Sequence, residues 1–80
     1  MNELDLYKFC QDKEMDWRGD SLYIWIRFND LQEFTEILGY DWFSEGGEDV
    51  NLQYDCVCID LVDICENHDI DPERIFSKEN

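Results

Sequence analysis

Cys56, Cys58, Cys65 and His68 are the residues of this chain whose types and spacing can do chemistry. They fall in DCVCIDLVDICENHDID, residues 55–71, which holds three of the four cysteines, the single histidine and six of the twenty-one carboxylates. Three thiolates and an imidazole form a legitimate zinc set, two ligands coming from a strand and two from one turn of the following helix. The spacing is C-x-C, six residues, then C-x-x-H, whereas structural zinc sites usually leave about two to four residues between paired cysteines. Zinc at Cys56, Cys58, Cys65 and His68 is therefore the lesser expectation. The leading one places all three cysteines on core faces, where a reduced thiol behaves as a small hydrophobe. Cys65 and His68, at i and i+3, have the spacing of a nucleophile and its base. A reactive thiolate needs electropositive surroundings, and Asp60, Asp63, Glu66, Asp69 and Asp71 supply the opposite sign and raise a thiol pKa. DIDPE lacks the D-x-[DN]-x-[DN]-G loop of an EF-hand. The pairs Asp60/Asp63 and Asp69/Asp71 read as helix caps and solvated faces. No enzymatic activity and no cofactor are expected.

The elements that must position these residues follow from periodicity. Residues 3–14 read as a helix with Leu6, Phe9 and Cys10 on one face, broken by DWRGDS. SLYIWIRF, residues 21–28, alternates, with Leu22, Ile24, Ile26 and Phe28 on one side and Tyr23, Trp25 and Arg27 on the other; this is the clearest strand. Asn29 or Asp30 caps the next helix, with Glu33 in the capping-box position, Leu31, Phe34 and Leu38 on its buried face and Gly39 at its end. YDWF reads as a short strand, SEGGED as a turn and VNLQYDCVCI as one long strand. In that strand Val50, Leu52, Tyr54, Cys56 and Cys58 share a face. Asp60 caps a helix with Leu61, Ile64, Cys65 and His68 on one stripe. Asp71 and Pro72 open a last short helix. The fold class expected is α+β, a single domain over 1–80: a small, mainly antiparallel sheet of about three strands with helices packed on one face.

Charge is the outlying property. Twenty-one acids against six bases give −15, divided as −5 over residues 1–40 and −10 over 41–80. The chain is also 44% hydrophobic and 15% aromatic, which supplies a core and argues against disorder. Folding buries the apolar positions and leaves the carboxylates outside. Such a surface repels nucleic acid and anionic membrane, because binding there is driven by Lys and Arg. Its natural partner is a protein with a Lys/Arg-rich, nucleic-acid-binding surface. The opening MNELDLYKFCQDKEMDW has no basic segment leading into an apolar run, so no signal peptide is expected. No stretch approaches the about 20 apolar residues that span a bilayer. A cytoplasmic monomer or homodimer with reduced thiols is expected.

A nucleic-acid-like row of charge requires carboxylates spaced along a surface; duplex DNA carries about one charge per 1.7 Å of axis. The expected contact residues are Asp41, Trp42, Glu45, Glu48 and Asp49 around the turn, Asn51, Gln53 and Asp55 on the strand, and Asp63, Glu66 and Asp69 on and after the helix. Trp17, Trp25, Tyr40 and Trp42 exceed the needs of so small a core, and Trp and Tyr favour interface hot spots. The alternatives are an adaptor or self-associating module built on that aromatic face, and the zinc-stabilised domain.

The tail LVDICENHDIDPERIF resembles the closing helices of phage-repressor-type helix-turn-helix domains, which run into a similar aliphatic–Cys–Asp/Pro–Ile–Phe sequence. Upstream, where those domains have helices with a basic recognition surface, this chain has strands and acids. In size, acidity and lack of a catalytic signature, the whole chain resembles the small DNA-mimicking inhibitors of phages and mobile elements, the anti-CRISPR and antirestriction proteins. That resemblance implies a non-enzymatic inhibitor of a host nuclease, acting in the host cytoplasm.

Overall fold

A computed structural model describes residues 2–39 and 49–78. Its centre is the alternating segment: strand β2, Ser21–Arg27, buries Leu22, Ile24 and Ile26 and leaves Tyr23 and Trp25 half-buried on the other side. The segment before it is also a strand, β1, Glu14–Arg18. The opening helix, α1, covers only Glu3–Cys10, not residues 3–14. Met15 and Trp17 alternate with Glu14, Asp16 and Arg18 at period two, and that pattern suits a strand edge better than a fourth helical turn. Gly19 (φ +64°) and Asp20 close a two-residue hairpin, with Arg18 opposite Ser21. A single positive φ at the first turn position is the type II′ arrangement, which glycine meets without steric cost. DWRGDS is thus a strand end and turn.

The long strand expected over 50–59 is a hairpin. β3, Asp49–Asn51, pairs with β4, Cys56–Asp60, and the four residues between them turn. The Asn51 side chain causes the break by accepting from the backbone N–H of Gln53 (3.0 Å) and Tyr54 (3.2 Å), the Asx-turn interaction that competes with strand hydrogen bonding. Asp55 completes it in the left-handed region at φ +52°, and its carbonyl accepts from Phe28 N–H at 2.9 Å. Sheet order is β1-β2-β4-β3 with every neighbouring pair antiparallel. The α+β class stands as expected, with four strands in place of three. YDWF and most of SEGGED lie outside the described residues.

Helices α2, Leu31–Leu38, and α3, Leu61–Asn67, join α1 on one side of the sheet. Gly39 ends α2 in the left-handed conformation (φ +78°) with its N–H on the Thr35 carbonyl. The expected Asp30 cap sits at the right place but makes no side-chain hydrogen bond. Asp60 does cap α3, accepting from Val62 N–H at 3.0 Å. Beyond α3, Asp69 (φ +57°) and Ile70 form a Schellman closure: Asp69 N–H bonds the Glu66 carbonyl and Ile70 N–H the Cys65 carbonyl. Asp71 then caps a 3-10 turn, Pro72–Arg74, through Glu73 N–H. The tail is fastened across the molecule by Trp17 Nε1–H to the Phe76 carbonyl (2.7 Å) and Gln11 Nε2–H to the Ile75 carbonyl (3.1 Å). The elements immediately before α3 are the β3–β4 hairpin, in contrast to the helices of a helix-turn-helix domain.

The core gathers Leu6, Phe9 and Cys10 from α1, Phe34 and Leu38 from α2, Leu61, Ile64 and Cys65 from α3, and Val57 and Ile59 from β4 against β2. Ile70 and Ile75 close it from the tail. The Phe9 and Phe34 rings stack with centroids 5.3 Å apart. Among the described residues no charged or polar side chain is buried and no helix is long and apolar enough to cross a membrane.

Candidate functional site: two faces of one sheet

Alternation along β4 decides where the chemistry-bearing residues go. Val57 and Ile59 are fully buried beneath the helices. Cys56 and Cys58 therefore point to the opposite, open side, and both are half-buried. This corrects the expectation of a single buried thiol seam: only Cys65, with Cys10, lies in the core. It also breaks up the zinc set held as the lesser expectation, because Cys65 is beneath the sheet while Cys56 and Cys58 are above it. His68 is the C-cap of α3. Among the described residues no three His, Cys, Asp or Glu side chains converge as metal ligands.

Cys65, the nucleophile candidate, is fully buried. Burial, followed by the charges of Glu3, Asp71, Asp60 and Glu66, pushes its thiol up to about 12. Burial likewise pushes Cys10 up to about 12, with Cys65 adding to the effect. Both remain protonated at neutral pH and serve as core packing.

The open face is aromatic and mixed in charge. Register sets Glu14, Trp25 and Cys58 side by side, with Asp49 at the next position, and Arg27 beside Cys56 and Asn51. Arg18 lies over the Trp25 ring, 5.7 Å from its centroid, and pairs with Asp16 at 2.9 Å. That carboxylate holds the Arg18 guanidinium above its usual pKa. Glu14, Trp25, Arg27, Asn51, Tyr54 and Cys56 line an open groove of about 500 Å³. Around the turn Val50, Leu52 and Tyr54 are exposed, Leu52 at 77%. The reading of one long strand concealed this tip; the Asn51 turn signal was there to expose it.

The other surface, over the helices, is acidic. Glu33 and Glu36 on α2 and Asp63 and Glu66 on α3 are all exposed, as is Asp69 beyond α3. Four of the six cations lie against carboxylates: Lys13 on Asp12 (2.8 Å) and Asp30 (4.0 Å), Arg18 on Asp16, Arg74 on Glu3 (3.1 Å) and Lys78 on Asp20 (3.6 Å). The Lys13 ammonium draws the Asp12 carboxyl below its ordinary range. The pairs of Arg18, Arg74 and Lys78 are exposed and add little stability.

The expected contact residues divide among three places. Asp41, Trp42, Glu45 and Glu48 lie outside the described residues. Asp49 and Asn51 are on β3, with Gln53 and Asp55 in the exposed turn that follows. Asp63, Glu66 and Asp69 belong to α3 and its exit. Asn51, Asp55 and Asp69 also have backbone duties, two of them at left-handed positions that Asp and Asn tolerate better than most residues. No family model, no curated protein and no solved structure matches this chain.

Proposed function

We propose that this protein is a non-enzymatic acidic inhibitor that binds and blocks a basic, nucleic-acid-binding surface of another protein, in the manner of anti-CRISPR-type DNA mimics. The observation that carries this reading is the −15 charge on a chain whose described core is wholly apolar. Every described carboxylate is thereby left at or near the surface. Carboxylates on a folded scaffold lose less conformational freedom on docking than those of a flexible acidic tail. Such a protein works in the cytoplasm, that of the host if a phage carries the gene, and its target is a nuclease or another nucleic-acid-binding protein with a Lys/Arg-rich channel.

A panel of purified nucleic-acid-binding proteins tests this at low and high salt, with DNA and RNA as competitors. Binding should weaken steeply with salt, since exposed charges are screened over about 8 Å at physiological ionic strength, and nucleic acid should compete. Binding indifferent to salt, or additive with nucleic acid, sinks the proposal.

A second reading has its own support. Trp25, Tyr54 and Arg27 around the open groove are the residue types that dominate interface hot spots. An adaptor or self-associating module would use that face. A dimer that Trp25→Ala dissociates while neutralisation of α2 and α3 carboxylates leaves it intact would favour this reading over the first.

A further inference from the structure

Cys56 and Cys58 are two residues apart on β4, so both side chains leave the same face of the strand, and both are half-buried at its open side. Two residues of extended chain set their Cα atoms about 6.6 Å apart with side chains roughly parallel. Staggered rotation about χ1 swings each sulfur along the strand. A metal–sulfur bond of about 2.3 Å on either side of an ion spans about 4.6 Å. We propose that Cys56 and Cys58 form a two-thiolate site for a soft monovalent metal ion of the Cu(I) type.

Thiolate ligands select soft ions. Zinc requires about four ligands, and no third His, Cys, Asp or Glu joins these two among the described residues. Cu(I) is satisfied by two thiolates in a line. Each thiol gives up one proton, so two thiols and one Cu(I) yield a bis-thiolate complex of charge −1 and two protons, with no change of oxidation state. The charged and titratable groups facing the pair are Glu14 beside Trp25, Arg18 over that ring, Tyr23 and Asp60 at the next position, and Arg27 beside Cys56. Asp49 occupies the register position next to Cys58. The Glu14 and Asp60 carboxylates draw the cation in, and the two guanidinium groups offset the negative charge of the complex. Cys10 and Cys65 are fully buried and keep their protons, which limits uptake to one ion per chain. Metal binding here does not depend on the proposed docking function.

Anaerobic titration of the reduced chain with Cu(I), competed against bathocuproine disulfonate, tests it. One copper should bind per chain, with two protons released and a near-ultraviolet thiolate-to-copper band. Cys56→Ser and Cys58→Ser should each return uptake to background. Alkylation of the native protein, mapped by mass spectrometry, keeps the test independent of how the variants fold: copper should protect both Cys56 and Cys58 from iodoacetamide. Absence of uptake at one equivalent, uptake that survives either serine variant, or protection confined to one of the two thiols overturns the site.

Discussion

The two faces of the sheet differ more than their shared strands suggest. Beneath β2 and β4 the side chains are Leu22, Ile24, Ile26, Val57 and Ile59, all fully buried. Above them stand Tyr23, Trp25, Arg27, Cys56 and Cys58. Neighbours in sequence, such as Cys58 and Ile59, thus belong to different chemical environments. The lower face holds the apolar core, and the upper face carries aromatic, charged and half-buried thiol side chains. The same division separates the four thiols into two pairs, one locked in the core and one within reach of solvent.

The sharpest way to break this comparison is to truncate one residue on each side of β4. Ile59→Ala should cost about 2–5 kcal/mol, as large-to-small core substitutions do, while Cys58→Ser should cost under about 1 kcal/mol. Urea unfolding followed by tryptophan fluorescence measures both. Equal losses would mean that the open face is packed against something.

Alkali probes the buried thiols. Cys10 and Cys65 ionise near 9.0 when unfolded and near 12 when folded. Between those values the native state holds protons that the unfolded state has released, so stability falls as pH rises from about 9 towards 12. Below about 9 these two thiols contribute no slope. Each contributes at most about 1.4 kcal/mol per pH unit. Denaturation midpoints for the parent and Cys10→Ala at pH 8, 9.5 and 11 should show a shallower fall in the variant.

Smaller effects belong to the caps. Asp60→Ala removes the acceptor for Val62 N–H and should cost about 1 kcal/mol in the same unfolding experiment. Asp69→Gly should stabilise by about 0.5–1 kcal/mol, read as a rise in melting temperature, because glycine adopts φ +57° without the penalty of a Cβ. A loss of stability there would assign the Asp69 side chain a role beyond the turn.

Much of the helical layer was legible from residue spacing. Leu6, Phe9 and Cys10, then Phe34 and Leu38, then Leu61, Ile64 and Cys65 are the buried positions of three helices, and period 3.6 marked each of them. Cap and stop signals at Asp60, Asp71 and Gly39 also held. The strands were harder to read. Glu14–Arg18 was hidden because five alternating residues carry a weak signal beside an established helix. Residues 49–60 were misjoined because Leu52 and Tyr54 continue the alternation straight through a turn made by Asn51. That one misreading also placed Cys56 and Cys58 on a core face, whereas the structure turns both to the open side of the sheet.

Sequence alone determined the quantities that add residue by residue: the net charge, the supply of apolar side chains, the helical periodicities and the local capping bonds. Pairing across the sheet, and with it which side of β4 meets the helices, was a tertiary decision. A strand alternates whichever face is buried, so its own residues present two candidate faces. The antiparallel register that sets Ile59 beside Ile24, and Cys58 beside Trp25, brings together residues more than thirty positions apart in the chain. Only that long-range pairing put two thiols in the core and two on the open face.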